Sequence, residues 1–208
     1  MNDKLIGKIR IAVFVSGSGT NLQALIEAQK NETIKSGVID CVISSKRGVY
    51  ATERAVNAGI DAYTVVKKDF IDQSSYEKKL DDILTEHGIG LIVLAGFLCV
   101  LSSTFTAKYE GRIINVHPSL IPSFCGDGFY GLHVHEAALA RGVKLTGATV
   151  HYVNEITDGG RIIMQKSVRV YDNDTPEKLQ KRVMKQAEWK ILPLACEKVC
   201  NLLMSEKE

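Results

Sequence analysis

The stretch IRIAVFVSGSGTNLQALI, residues 9–26, decides how the rest of the chain is read. Residues 9–16 form a nearly unbroken apolar, β-branched run, the pattern of a strand covered on both faces. Gly17, Ser18 and Gly19 then give a tight turn, and Asn21, Leu22, Leu25 and Ile26 follow at helical spacing. The unit is strand, turn, helix.

The same alternation continues outward. Residues 38–45, 62–66 and 91–95 read as short apolar strands, with helical patterns over 50–57 and 75–87 between them. A further strand, RIINV at 112–116, runs straight into His117 and Pro118. Strands alternating with helices predict an α/β fold with a doubly wound, mostly parallel sheet. From Lys144 the texture changes: LTGATVHYVN and RIIMQKSVRV both alternate, with Asp158, Gly159 and Gly160 between them. That predicts an antiparallel C-terminal strand pair. Thr175, Pro176 and Glu177 offer an N-cap, a first-turn proline and an early acid for a closing C-terminal helix, which Pro193 is expected to kink.

Bulk properties narrow the class. Over 208 residues, 24% are charged and 45% hydrophobic, as in an ordinary globular chain with one core. The net charge of +2 supplies no field to gather a polyanion, so no nucleic-acid partner is expected. Five cysteines form an odd number without a CxxC pair, which reads as free thiols in a reducing compartment. No apolar signal core or membrane-length run is seen, so a cytoplasmic protein without membrane association is expected.

Two clusters bear chemistry. Gly17, Ser18, Gly19, Thr20 and Asn21 lie where the first strand turns into the first helix, so backbone N–H groups and the helix dipole can meet an anion there. Leu22 stands where a dinucleotide fingerprint wants its third glycine, and no Gly-Lys-Ser/Thr follows, so a phosphomonoester suits the loop better than a dinucleotide or a nucleoside triphosphate. The loop alone serves equally well as a turn with Thr20 capping the helix.

Asn115 and His117 alternate onto one side of their strand, at the carboxyl edge where open α/β sheets bind ligands. A carboxamide donor beside an imidazole suits acyl transfer, in which an amine loses a proton while a carbonyl oxygen gathers charge. A lone histidine in this position is also compatible with a purely structural role. Asp158, by raising the imidazole pKa, is the residue that would tip the balance, although it equally suits the turn it begins. His133, His135 and His151 complete no familiar ligand set with His117, so no metal is expected.

Taken together, VFVSGSGTNLQALIEA (13–28), IVLAGFLCVLS (92–102), GRIINVHPSLIPSF (111–124) and GATVHYVNEITDGGRIIMQ (147–165) resemble the folate-dependent formyltransferases, and among them the phosphoribosylglycinamide formyltransferase family. The resemblance implies transfer of the formyl group of 10-formyltetrahydrofolate, a co-substrate, to the amine of phosphoribosylglycinamide in purine biosynthesis. It implies a catalytic set of Asn115, His117 and Asp158. Gly17, Ser18, Gly19, Thr20 and Asn21 would hold the phosphate side of the acceptor and Glu188 its ribose. Leu98, Cys99, Val100 and Leu101, with Asn115 and with Asn154, Glu155, Ile156, Thr157 and Asp158, would enclose the reduced folate. A single domain is then expected, with a phosphate-binding half over about 1–105 and a folate-binding, catalytic half over about 106–208, acting as a monomer or weak homodimer.

Departures from the family pattern are local. Gln73 stands where some members carry an arginine, so Lys67 or Lys68 is a candidate substitute, and Cys99 stands where a basic or bulky residue is usual. The glycines of the loop 123–131 suggest a mobile segment. Two rival activities share the chemistry. Methionyl-tRNA formyltransferases normally add a C-terminal RNA-gripping domain and formyltetrahydrofolate hydrolases an N-terminal regulatory one, and neither is visible before Ile9 or toward residue 208.

Overall fold

The computed structural model describes residues 7–206. Seven strands form one sheet in the order β3-β2-β1-β4-β5-β6-β7. These are β1 (Ile9–Val15), β2 (Gly37–Ser44), β3 (Asp61–Thr64), β4 (Leu91–Leu94), β5 (Ile113–His117), β6 (Leu145–Tyr152) and β7 (Ile162–Arg169). Pairing is parallel from β3 through β5 and antiparallel from β5 to β6 and β6 to β7, as the two textures of the sequence predict.

The helices are α1 (Thr20–Lys30), α2 (Tyr50–Asn57), α3 (Gln73–Glu86), α4 (Ser103–Lys108), α5 (Leu132–Arg141), α6 (Pro176–Val183) and α7 (Trp189–Ser205). They cover both faces, which is why β1 buries every side chain but Arg10. One apolar cluster, including Ile11, Val13, Leu22 and Leu192, lies under α1, α6 and α7. The other, including Phe14, Ile43, Tyr76 and Leu80, lies under α3 and α4. Full burial of each large apolar side chain contributes roughly 1.5–3 kcal/mol.

The chain runs one way across the sheet through β1, β2 and β3, then returns to place β4 on the other side of β1. Between the carboxyl ends of β1 and β4 lies the crevice such a reversal opens. Gly19 shapes its rim: φ is +72°, and a Cβ there would lie 2.7 Å from the Cβ of Ala51. Glycine is therefore needed both for the left-handed backbone and for the approach of α2. Gly19 is also the N-cap of α1, without a side-chain cap bond, so Thr20 does not cap the helix as the structural reading of that loop supposed.

Thr175 caps α6 by accepting from the N–H of Lys178, with Pro176 in the first turn, as expected. Pro193 sits inside α7 without ending it. The irregularity lies earlier, in a π-helical turn at Met184–Glu188, one turn before the position where the proline ring crowds the carbonyl of Trp189. Helix α3 begins earlier than its apolar pattern suggests, because Asp72 and Ser75 form a reciprocal capping box.

Candidate active site

Asn115 and His117 project from β5, the strand at which the sheet changes from parallel to antiparallel pairing. They line a cavity of about 680 Å³ together with residues 97–101, residues 153–158 and the loop residues Gly126 to Gly131. All of Leu98, Cys99, Val100, Leu101, Asn154, Glu155, Ile156, Thr157 and Asp158 therefore face one space with the two strand residues.

Asp158 meets His117 there. Its Oδ2 lies 3.4 Å from His117 Nδ1 and its Oδ1 3.5 Å from His151 Nε2, ion-pair rather than hydrogen-bond distances. The Gly126 N–H donates to Oδ2 at 2.9 Å. The turn reading of Asp158 holds as well: its φ is +55°, and Gly160 is required because a Cβ there would strike the Tyr152 carbonyl. The turn aims the carboxylate, so the two readings are one.

His117 Nε2 donates to the Phe124 carbonyl at 2.8 Å, since that oxygen can only accept. Its proton is thus on Nε2, leaving Nδ1 open toward the carboxylate. The sequence suggested that Asp158 raises this pKa, and the net shift is instead downward from 6.5: burial of the ring outweighs the upward pull of Asp158 and the Phe124 bond. For Asp158, burial pushes the carboxyl up, but the adjacent His151 ring, the Gly126 N–H and the charge of His117 outweigh it and hold it below 3.8.

His151 is the residue that sequence reasoning placed in a strand without a role. It pairs with Asn115 across β5 and β6. Its Nδ1 donates to the Tyr152 carbonyl at 2.8 Å, which leaves Nε2 to accept from Asn115 Nδ2 at 3.1 Å. The amide of Asn115 is thereby oriented by a buried ring. The signal was present: His151 lies two residues from Thr149 on the alternating face that meets β5.

The glycine turn occupies the other side of the crevice. Asn21 Nδ2 donates to Glu188 Oε2 at 2.7 Å, so two residues 167 positions apart are joined. Burial pushes the Glu188 carboxyl up to about 7 against the lowering effect of that bond. Gly17 and Ser18 use their carbonyls on α2, accepting from the Ala51 N–H at 3.3 Å and Arg54 Nε at 2.9 Å. Gly17, Ser18, Gly19, Asn21 and Glu188 do not line the 680 Å³ cavity, and Ser16, which precedes the turn, links it to the cavity-lining Leu98. Ser16 Oγ accepts from the Leu98 N–H at 2.9 Å and sits 2.6 Å from Ser45 Oγ.

Lys67 and Lys68 lie in a short 3₁₀ turn and do not line the cavity, whereas Lys46 does. Gln73 instead donates to the Val100 carbonyl at 3.2 Å. The loop 123–131 is docked on the site through the Phe124 carbonyl and the Gly126 N–H. Thr20 borders a second groove of about 670 Å³, between α1 and α7, which contains none of Asn115, His117 or Asp158. Among the described residues no cluster of potential metal ligands occurs and no helix is long and apolar enough to cross a membrane.

Comparison with known proteins bears on the family and the fold. The formyl transferase family matches residues 9–196. The phosphoribosylglycinamide formyltransferase of Escherichia coli is 38% identical over 186 residues, spanning 89% of this chain and 84% of that protein. The human trifunctional purine biosynthetic protein adenosine-3 is 42% identical over 194 residues, and the chain spans only 18% of its length. The structure of glycinamide ribonucleotide transformylase 1 from Symbiobacterium toebii superimposes with a TM-score of 0.87 at 36% identity, covering 94% of this chain and 89% of that one. That of phosphoribosylglycinamide formyltransferase from Brucella melitensis gives 0.84 at 40% identity, covering 93% and 96%. The chain belongs to the formyl transferase family.

Proposed function

We propose that this chain transfers the formyl group of 10-formyltetrahydrofolate to the amine of phosphoribosylglycinamide. The observation that carries the reading is the convergence of Asn115, buried His117 and Asp158 on one cavity lined by residues 96–101 and 153–158. The relatives named for this activity, similar over most of the chain, support it.

The residues divide the work as follows. The acceptor nitrogen adds to the formyl carbon, giving a tetrahedral species whose oxygen carries the new charge. Asn115, oriented by His151, donates to that oxygen. In the free site His117 is poised with a lowered pKa, and negative charge arriving beside it favours its protonated form, with Asp158 compensating at Nδ1. Its Nε2–H, spent on the Phe124 carbonyl here, is the second donor for the substrate oxygen. Collapse breaks the bond from carbon to N10 of the folate, and the proton lost by the acceptor amine ends on that nitrogen. Because donors aimed at the oxyanion gain strength only as charge forms, they favour the transition state over the reactants.

In the same reading Gly17, Ser18, Gly19, Thr20 and Asn21 hold the phosphate, through the uncapped start of α1, and Glu188 holds the ribose hydroxyls. Residues 98–101 and 154–158 receive the pterin in an apolar slot with a few polar groups. The chain acts as one domain in the cytosol, in keeping with five free cysteines. A competition assay with labelled formyl donor tests the acceptor: label entering glycinamide ribonucleotide in preference to methionyl-tRNA supports the reading, and the reverse preference rejects it.

A further inference from the structure

The segment 97–102 joins β4 to α4 without helix or strand, and residues 96–101 make no backbone-to-backbone hydrogen bond among the described residues. Such a strip would wander unless side chains held it. Three do. Ser16 Oγ takes the Leu98 N–H at 2.9 Å. Gln73 Nε2 uses one N–H on the Val100 carbonyl at 3.2 Å and the other on Glu77 Oε1 at 2.5 Å. Glu77 then takes the Ser102 N–H on Oε1 at 2.6 Å and the Ser102 hydroxyl on Oε2 at 2.5 Å.

Glu77 is the hub, and its position is an expensive one. It is 7% exposed on α3, with no lysine, arginine or histidine within ion-pair distance among the described residues. A buried carboxyl with no cation costs free energy unless donors saturate it, and here three donors do so, two of them from the residue that ends the strip. The neighbouring Lys78 turns to Asp82 instead. A side chain needed only to cap α4 is already present, because Ser102 Oγ accepts from the Phe105 N–H on its own. What Glu77 adds is a fixed distance between α3 and the strip, with Gln73 as the second strut.

The backbone N–H groups of Cys99 and Val100 and the carbonyl of Leu98 have no protein partner among the described residues, and these residues line the 680 Å³ cavity. A flat heterocycle rich in ring nitrogens and exocyclic donors would read such groups only if their spacing were fixed beforehand. We propose that Glu77 is a positioning residue for the formyl donor, holding residues 98–102 through Ser102 and Gln73 in the geometry that recognises its heterocycle. This rests on the reading of the cavity as the folate site.

The test combines steady-state formyl transfer, varying donor and acceptor separately, with amide hydrogen exchange of the unliganded full chain. In Glu77→Ala the donor KM rises about tenfold, as the loss of the two bonds from Ser102 implies. The acceptor KM stays within about twofold and kcat within about threefold, changes below one hydrogen bond. Glu77→Gln, which keeps an acceptor for the Ser102 N–H, recovers most of the loss. Exchange quickens over residues 98–102 of Glu77→Ala while β4 is unchanged. An unaltered donor KM, an equal rise in both KM values, or no rescue by glutamine overturns the proposal. Should Glu77→Ala not fold, Ser102→Ala, which removes the hydroxyl's bond to Glu77 together with the cap of α4, carries the same test, with the donor KM rising about threefold for the bond to Glu77 and no rise overturning the proposal. If the wild-type chain transfers no formyl group, the functional reading fails. In that case the clamp is judged by exchange alone, and unchanged exchange in residues 98–102 ends it.

Discussion

Asp158 Oδ2 lies 3.4 Å from Nδ1 of His117, with both side chains less than a tenth exposed. A carboxylate held this way costs the fold a strained left-handed backbone at Asp158 and gains it a charge placed for the imidazole. His151, on the other side of the same carboxylate, extends the arrangement to Asn115.

The first prediction concerns that extension. His151→Ala removes the acceptor that orients the Asn115 amide, so kcat should fall about 10- to 100-fold, the range for losing the support of one oxyanion donor. A double-mutant cycle with Asn115→Ala should be strongly non-additive, because both changes disable one donor. Additive losses would show that the two residues act separately.

Asn21→Ala should raise the KM for the phosphorylated acceptor and spare that for the folate, since Asn21 joins to Glu188 the glycine turn proposed to hold the acceptor. Equal rises for both substrates would contradict the division into two subsites.

Two buried groups make stability depend on pH in opposite senses. Glu188 titrates at 4.5 when unfolded and at about 7 in the fold, so the folded chain binds the extra proton between those values. Its contribution is complete below pH 4.5 and is lost as pH rises through 7. Glu188→Gln should therefore unfold at higher denaturant than wild type at pH 8, by on the order of 3 kcal/mol, and equal it near pH 4. His135 is fully buried with both ring nitrogens unpartnered among the described residues, and burial, then the charge of His117, pulls its pKa from 6.5 to about 4. Its contribution is complete above pH 6.5 and is lost as pH falls toward 4. His135→Leu should flatten the acid side of a stability-against-pH curve. If that side keeps its slope, the titration belongs to other groups.

Gly19→Ala should destabilise by about 2–4 kcal/mol, from a positive φ together with a methyl pressed on Ala51. Thermal unfolding reads this directly, and a melting temperature equal to wild type would mean that α2 yields at no cost.

Most of the sheet was legible because its signal is local. Residues 9–16 are apolar on both faces, whereas the residue types of β6 and β7 alternate, so periodicity alone separates the parallel part from the antiparallel part, although the fold buries both faces of β6. The short helix α4 and the π-helical turn before α7 were not legible. Six residues such as Ser103–Lys108 carry too little period, and a π turn leaves no compositional trace. In the site, Asn115 and His117 were found by alternation on one strand, and Asp158 was a candidate partner that the resemblance then singled out. The parts that orient them were hidden because each is a long-range contact: His151 reaches Asn115 from the next strand, and the Phe124 carbonyl reaches His117 from a loop. The downward shift of His117 was missed for the same reason, since burial is set by residues far away in sequence.

The most direct test of the account is single-turnover formyl transfer from 10-formyltetrahydrofolate to phosphoribosylglycinamide by the wild-type chain and by Asp158→Asn, each checked for an unchanged fold. The account predicts transfer by the wild type and a rate lower by roughly 10³-fold or more in the variant, as when the partner of a catalytic imidazole is neutralised. Transfer by Asp158→Asn within about tenfold of wild type, a smaller effect than the loss of one preorganised donor, would contradict it.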